Sequence, residues 1–140
     1  MSARTAAGLA AALAGLVLAG GALACGGDPT PENLVAGPGV KAALLHAYAS
    51  AHPQPHASGP VAGRTYYGMV GGDWYAVATF GVRGRTTKPV ILERHGNRPD
   101  RWHVTRETRG AVCGRFVPVS LIGVWHLRHV TGDCFVEPQT

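Results

Sequence analysis

Residues 65–81, TYYGMVGGDWYAVATFG, decide the fold. Aromatic and β-branched residues flank Gly71 and Gly72, and two adjacent glycines supply the positive φ angles that a tight hairpin turn demands. The segment reads as a β-hairpin. On its second strand Trp74, Ala76, Ala78 and Phe80 share one face, and the two alanines leave room for a helix to lie close. Tyr66, Tyr67, Trp74 and Tyr75 admit a carbohydrate- or base-stacking surface, but cross-strand aromatic pairs are ordinary hairpin stabilisers and account for them without a ligand.

Downstream, strands near 88–95 and 101–107 flank the loop GNRPD, residues 96–100, and predict a second hairpin. Pairing His95 with Arg101 puts Val90, Leu92, Trp102 and Val104 on one face and Glu93, His95, Arg101, His103 and Thr105 on the other. Ile91 and Arg94 break the alternation. The remainder is the one-sided pattern of an antiparallel sheet with one face covered and one wet. Glu93 then opposes His103, a pair with the chemistry for acid–base work, although a polar cross-strand pair on a wet face needs no such role.

Helices are expected on either side of the hairpins. Upstream, Val40, Leu44, Ala47, Tyr48 and Ala51 recur at three- and four-residue spacing between Pro38 and Pro53, predicting a helix over 40–52. HPQPHASGPVAG, residues 52–63, is too rich in Pro and Gly for regular structure, so His52 and His56 read as loop residues rather than metal ligands. Downstream, VPVSLIGVWHLRH predicts a helix over 117–129 opening at Pro118, with Leu121, Ile122, Val124 and Trp125 as its apolar stripe. His126 and His129 would share a face of that helix, but a structural metal needs two further ligands and no metal centre is expected. The fold class predicted is α+β: an N-terminal helix, a four-stranded antiparallel sheet of two hairpins, and a C-terminal helix stapled by a disulfide.

The N-terminus supplies an address. Arg4 precedes an apolar stretch that begins at Ala6 and closes with Ala22-Leu23-Ala24-Cys25, the form of a secretory signal peptide over 1–24. Ala-Leu-Ala before a cysteine resembles the lipobox of bacterial lipoproteins, with Cys25 as the lipid-attachment residue. Simple cleavage after Ala24 and retention as a membrane anchor are the alternatives. Residues 25–39, interspersed with Gly and Pro, read as a flexible tether, leaving 40–137 as a single small domain. Of the 3 cysteines, lipid on Cys25 leaves Cys113 and Cys134 to pair in an oxidising compartment. A catalytic role for Cys113 would need a base held close to it, and no thiol-enzyme signature surrounds it.

Charge has two readings: the excess of Arg over Lys in a chain rich in Ala, Gly and Pro is what GC-rich coding leaves, and it is equally what an anionic partner would require. The chain carries 13 Lys and Arg against 8 Asp and Glu. Between Arg83 and Arg115, nine basic residues face Glu93, Asp100 and Glu107, so nine minus three leaves +6. A basic wet face attracts an anionic envelope polymer, phospholipid headgroups or an acidic protein surface, with strength that falls as salt rises. Nucleic acid is not expected, because no recognised nucleic-acid motif is present. Arg101, His103 and Arg106 are the candidate partner-binding residues. No cofactor motif and no catalytic residues stand out.

TYYG, GGDWYAVATF, RWHV, VCG, VPVSLIGVW and a last cysteine together resemble short exported proteins and lipoproteins of actinobacteria. That resemblance covers nearly all of the chain after the signal segment and implies location and fold, with no active-site residues. The expected function is a lipid-anchored protein on the outer face of the cytoplasmic membrane, or an extracellular one, acting as a non-enzymatic binding module. A secreted inhibitor or immunity-type protein presenting the 96–100 loop, and a histidine-dependent hydrolase, are the alternatives.

Overall fold

A computed structural model of the chain describes residues 27–53, 56–98 and 101–138. The signal segment and Cys25 lie outside the described residues. Strand β1 (Glu32–Leu34) and helix α1 (Pro38–Ala51) are followed by β2 (Ala57–Ser58), β3 (Thr65–Val70), β4 (Asp73–Ala78), β5 (Gly81–Val82), β6 (Arg85–Thr86) and β7 (Val90–His95). Then come β8 (His103–Glu107), β9 (Val112–Cys113), helix α2 (Val119–Val124), β10 (Arg128–Thr131) and β11 (Cys134–Val136). The main sheet is antiparallel and five-stranded, in the order β1-β3-β4-β7-β8, and two three-stranded sheets, β10-β11-β9 and β2-β5-β6, flank it.

Both hairpins form. Val70 pairs with Asp73 across a two-residue turn in which Gly71 and Gly72 have φ of 63° and 87°, the left-handed region that glycine enters without strain. In the second hairpin Glu93 pairs with His103 and Leu92 with Val104, as the expected register requires. The register then slips, so that Ile91 pairs with Arg106 and Val90 with Glu107. Thr105 is the extra residue of a bulge, a device that re-aims the side chains beyond it.

The predicted four-stranded, half-wet sheet is corrected on two points. A fifth strand, β1, comes from the segment expected to be a tether. Its ENL sequence carries no strand signal, yet it pairs with β3 from Glu32↔Met69 to Leu34↔Tyr67 and so covers an edge that would otherwise be unpaired. Gly68 permits this close approach, since a Cβ there would press into the Glu32 carbonyl and lie 2.7 Å from Leu121 Cδ1. The sheet is also covered on both faces. Helix α1 buries Leu44, Ala47 and Tyr48 against Tyr67, Ala76, Ala78, Phe80, Val90 and Leu92, with the Tyr48 ring stacked 4.3 Å from that of Phe80. On the opposite face Val77 and Ile91 pack under Val112, Val117, Leu121, Ile122, Trp125 and Leu127.

The two breaks in alternation mark these layers. Ile91 is 0 % exposed because the C-terminal segment lies over it. Arg94 is 7 % exposed and holds its guanidinium 4.5 Å from the Trp74 ring and 5.3 Å from the Trp102 ring, a cation–π arrangement that uses these ring faces internally.

The C-terminal helix is shorter than the pattern implied. Helix α2 ends at Val124, and His126 takes a φ of 56°, which turns the chain out of the helix and into β10. His126 and His129 therefore share no helix face, and His129 Nε2 instead donates to the Gly132 carbonyl at 2.8 Å. Trp125 Nε1 donates to the Tyr67 carbonyl at 3.3 Å and Asn33 Nδ2 to the Val124 carbonyl at 3.3 Å, pinning the segment to β3 and β1. Cys113 and Cys134 pair across β9 and β11 and form the expected disulfide. Among the described residues no helix is long and apolar enough to cross a membrane.

The disulfide closes the loop that contains α2 and much of the second apolar layer. In the chain-entropy account such a loop contributes about 3 kcal/mol. The paired change Cys113→Ala and Cys134→Ala is expected to lower unfolding free energy by about 2–5 kcal/mol in chemical denaturation, and an unchanged midpoint would show that the layer holds without the bridge.

Candidate anion-binding site

The antiparallel main sheet has two ends of different chemistry. At the turn end, near Gly71, lie Asp73, Glu93, His95, Arg98, Arg101 and His103. At the opposite end, where β3 and β7 begin and β4 and β8 finish, lie Arg64, Lys88, Arg106 and Arg109.

At the turn end His95 stands between two carboxylates. Its Nδ1 is 2.8 Å from Asp73 Oδ1 and its Nε2 is 3.1 Å from Glu93 Oε1. The cross-strand pairing places these groups, since Asp73 is the register partner of His95, and Glu93 lies two residues before His95 on the same side of β7. The hydrogen bond to Asp73, then the charges of Glu93 and Asp73, raise the His95 pKa above its ordinary value of 6.5. Glu93 also accepts from Thr105 Oγ1 at 3.3 Å. Its carboxylate is thus engaged by His95 and Thr105, while His103 Nδ1 donates weakly to the Arg101 carbonyl at 3.4 Å. The Glu93 and His103 backbones pair as expected, but these hydrogen bonds do not join the two side chains into an acid–base couple. Both nitrogens of His95 face carboxylates, so this imidazole offers no free base.

The three nominated binding residues are not one patch. Arg101 and His103 are exposed beside the turn end. Arg106 lies past the bulge with its guanidinium 5.1 Å from the Phe116 ring, which Arg115 also approaches to 4.9 Å. Arg106, Arg109, Arg115 and Phe116 line a groove of about 400 Å³ together with Glu107, Thr108, Ala111 and Cys113. Glu107 is turned toward His52 Nε2.

Beside it a second groove of about 400 Å³ is lined by Arg64, Thr86, Thr87, Lys88, Arg128 and Glu137, with Thr79, Pro89, Gly110, Val130 and Val136 completing its walls. Thr79 follows β4 and its amide donates to the Arg64 carbonyl, and the Thr87 amide donates to the Phe80 carbonyl. These bonds fold the 79–88 excursion back over the sheet end and bring Lys88 beside Arg64. β10 brings Arg128 from the other side.

These cations lack acidic partners. Among the described residues every carboxylate ion pair is made by a histidine, namely His52 with Glu107 and His95 with Asp73 and Glu93, and no Lys or Arg is bridged. Convergence of Arg64, Lys88 and Arg128 escaped the sequence reading because the three residues come from separate segments. The one cue was the basic run from Arg83, which holds only Lys88 of the three.

Cys113, Asp133 and Cys134 bring potential ligand atoms within 4.8 Å of one another. Both sulfurs are spent in the disulfide, however, which leaves no thiolate to bind a metal. Comparison with protein families, curated proteins and solved structures finds no match to this chain.

His95 titration tests the turn end. By NMR its pKa is expected above 6.5 and closer to the ordinary value in Asp73→Asn. Since the folded pKa is the raised one, the ion pairs contribute full stability below the unfolded value and lose it as pH rises through the folded one. An ordinary His95 pKa in the wild type would contradict the two contacts.

Proposed function

We propose that the protein is an exported, lipid-anchored module of the cell envelope that binds an anionic polymer, without catalysis, through the basic end of its main sheet. The observation that carries this reading is the pair of adjacent grooves lined by Arg64, Lys88 and Arg128 and by Arg106, Arg109 and Arg115, whose cations have no carboxylate partner among the described residues. Arginines and lysines outside ion pairs remain available to an external anion, and in each groove three of them outnumber the single carboxylate, Glu137 or Glu107. An arginine fork also matches phosphate, sulfate or carboxylate oxygens in two-point contacts.

The lipid-anchor reading also orients the domain. Pro29 lies against Gly71, and Asp28 lines a cleft with Gly71, Asp73 and Tyr75, so the described chain enters at the turn end. Cys25 precedes Asp28 by three positions, a covalent reach of at most about 11 Å. Six-residue strands at roughly 3.4 Å per residue put the basic end about 20 Å farther on. A lipid on Cys25 would therefore hold the turn end, with Asp73 and Glu93, toward the bilayer and present the basic end away from it. This geometry favours a polymer or an acidic protein surface of the envelope over lipid headgroups, and two adjacent basic grooves, able to take successive anionic units, favour the polymer.

Binding of soluble polyphosphate to the purified full chain, followed at rising salt, checks the reading. The double change Lys88→Glu and Arg128→Glu is expected to weaken binding at least about tenfold at low salt and to flatten its salt dependence, while Arg101→Glu at the turn end changes it little. A loss with Arg101→Glu equal to that of the double change would move the site to the turn end. In the producing cell, Cys25→Ser is expected to shift the protein from membrane to medium or stall it as precursor, and unlipidated mature wild-type protein in the medium would contradict the anchor.

A further inference from the structure

We infer that Phe116 is the positioning residue of the groove that contains Arg106 and Arg115: its ring holds the two guanidiniums as a paired fork that prefers a chain with phosphoryl groups in its backbone to one with carboxylates on side stems. This inference rests on the basic-end reading and narrows its ligand.

The ring is a fixed mount. Phe116 is half-buried and packs against the cluster of Ile91, Val112, Val117 and Leu121. Its amide donates to the Cys113 carbonyl at 2.9 Å, and the two residues before it are held by Asp133, whose carbonyl accepts from the Gly114 amide at 2.8 Å and whose Oδ2 accepts from the Arg115 amide at 3.1 Å. The Cys113–Cys134 bridge ties this frame to β11. Arg106 reaches the ring because the bulge at Thr105 pairs it with Ile91 and so turns it to the side of the sheet on which Phe116 packs.

Both arginines are exposed, and neither forms an ion pair among the described residues, Glu107 being turned toward His52. Their Cζ atoms lie over the one ring at 5.1 and 4.9 Å, so they can be no more than about 10 Å apart. A guanidinium over a ring presents its face to the aromatic, and its N–H donors, which lie in its own plane, remain free at the edge. Two such edges, held near each other, accept two oxygen pairs in two-point contacts.

Spacing and stiffness then favour one ligand class. In a phosphoryl chain the oxygen pairs belong to the backbone, so successive pairs reach the two forks together. In a carboxylate chain each pair ends its own flexible stem, and seating two of them orders both stems at a cost in side-chain entropy. Lysine supplies the same charge as a point, without a planar fork. The preference therefore depends on the arginines and on the ring that aligns them, beyond their charge.

Competition between polyphosphate and poly-L-glutamate of matched chain length for the full chain in detergent, at one low salt concentration, tests this. The double change Arg106→Lys and Arg115→Lys keeps the charge and is expected to lower the preference for polyphosphate about tenfold, the loss of one hydrogen bond between charged groups. Phe116→Leu, with all cations in place, is expected to lower it in the same direction, and Phe116→Tyr, which keeps the ring, to retain it. A merely structural role for Phe116 would weaken both polymers together.

An unchanged preference in the double lysine variant, a parallel loss of both polymers in Phe116→Leu, or a loss of preference in Phe116→Tyr equal to that in Phe116→Leu overturns the inference. If the preference survives all three variants while Lys88→Glu with Arg128→Glu abolishes polyphosphate binding, the Phe116 assignment fails and the basic-end reading stands. Wild-type protein that binds neither polymer would take both. The polymers are soluble, so the state of Cys25 does not enter.

Discussion

Strands β4 and β7 put Ala76, Ala78, Val90 and Leu92 beneath helix α1 and Val77 and Ile91 beneath the disulfide-closed C-terminal segment, and this burial from both sides organises the domain. A chain of this size has little surface to remove from water, and a sheet wet on one face would leave half of its apolar side chains unused. Covering the second face requires a segment with only one short helix, α2, to lie flat on the sheet. Hydrogen bonds from Trp125 and Asn33 hold it there, Gly68 lets β1 and Leu121 come close, and the Cys113–Cys134 bridge ties its two ends.

With both faces occupied, the exposed charged side chains of the main sheet gather at its two ends. At the turn end, strand register brings Asp73 and Glu93 to either side of His95, and their charges are satisfied internally. At the other end the 79–88 excursion and β10 bring cations that form no ion pair among the described residues and outnumber the one carboxylate in each groove, Glu137 or Glu107. The charge asymmetry thus follows from topology: segments that must return across the strand ends carry Arg64, Lys88 and Arg128 to one place. Short strands also fix the separation of the two ends, and with it the distance at which a lipid on Cys25 would hold the basic grooves from the bilayer.

Local chemistry explains what the chain disclosed before its structure. Gly71-Gly72 between aromatic and branched residues can hardly be anything but a tight hairpin, the Leu44, Ala47 and Tyr48 stripe behind Pro38 has helical spacing, and three cysteines with one allotted to lipid leave one pair. The remainder depended on tertiary contacts. Glu32-Asn33-Leu34 becomes a strand because β3 has a free edge, not from any preference of its own. The apolar run after Pro118 has helical composition throughout, and only the left-handed backbone at His126 cuts it short. Ile91 and Arg94 were visible as breaks in alternation, yet the layer over one and the tryptophans around the other were needed to interpret them. A regular register turns Arg101 and His103 outward and leaves Arg106 to swing its long stem past the apolar edge, whereas the bulge at Thr105 shifts the pairing at Arg106, whose guanidinium lies 5.1 Å from the Phe116 ring. The groove residues are far apart in sequence and share no motif, so no local pattern announces their meeting.

The central claim is that an anionic ligand is received at the basic end and not at the turn end. Backbone amide shifts of the isotope-labelled full chain in micelles, recorded during titration with soluble polyphosphate, locate the contact directly. The account predicts that the largest changes cluster at Arg64, at Thr86–Lys88, at Arg106–Arg109 and from Arg128 to Glu137, with Asp73, His95 and Arg101 nearly still. Largest changes at Asp73, His95 and Arg101, with the groove residues unmoved, would contradict it.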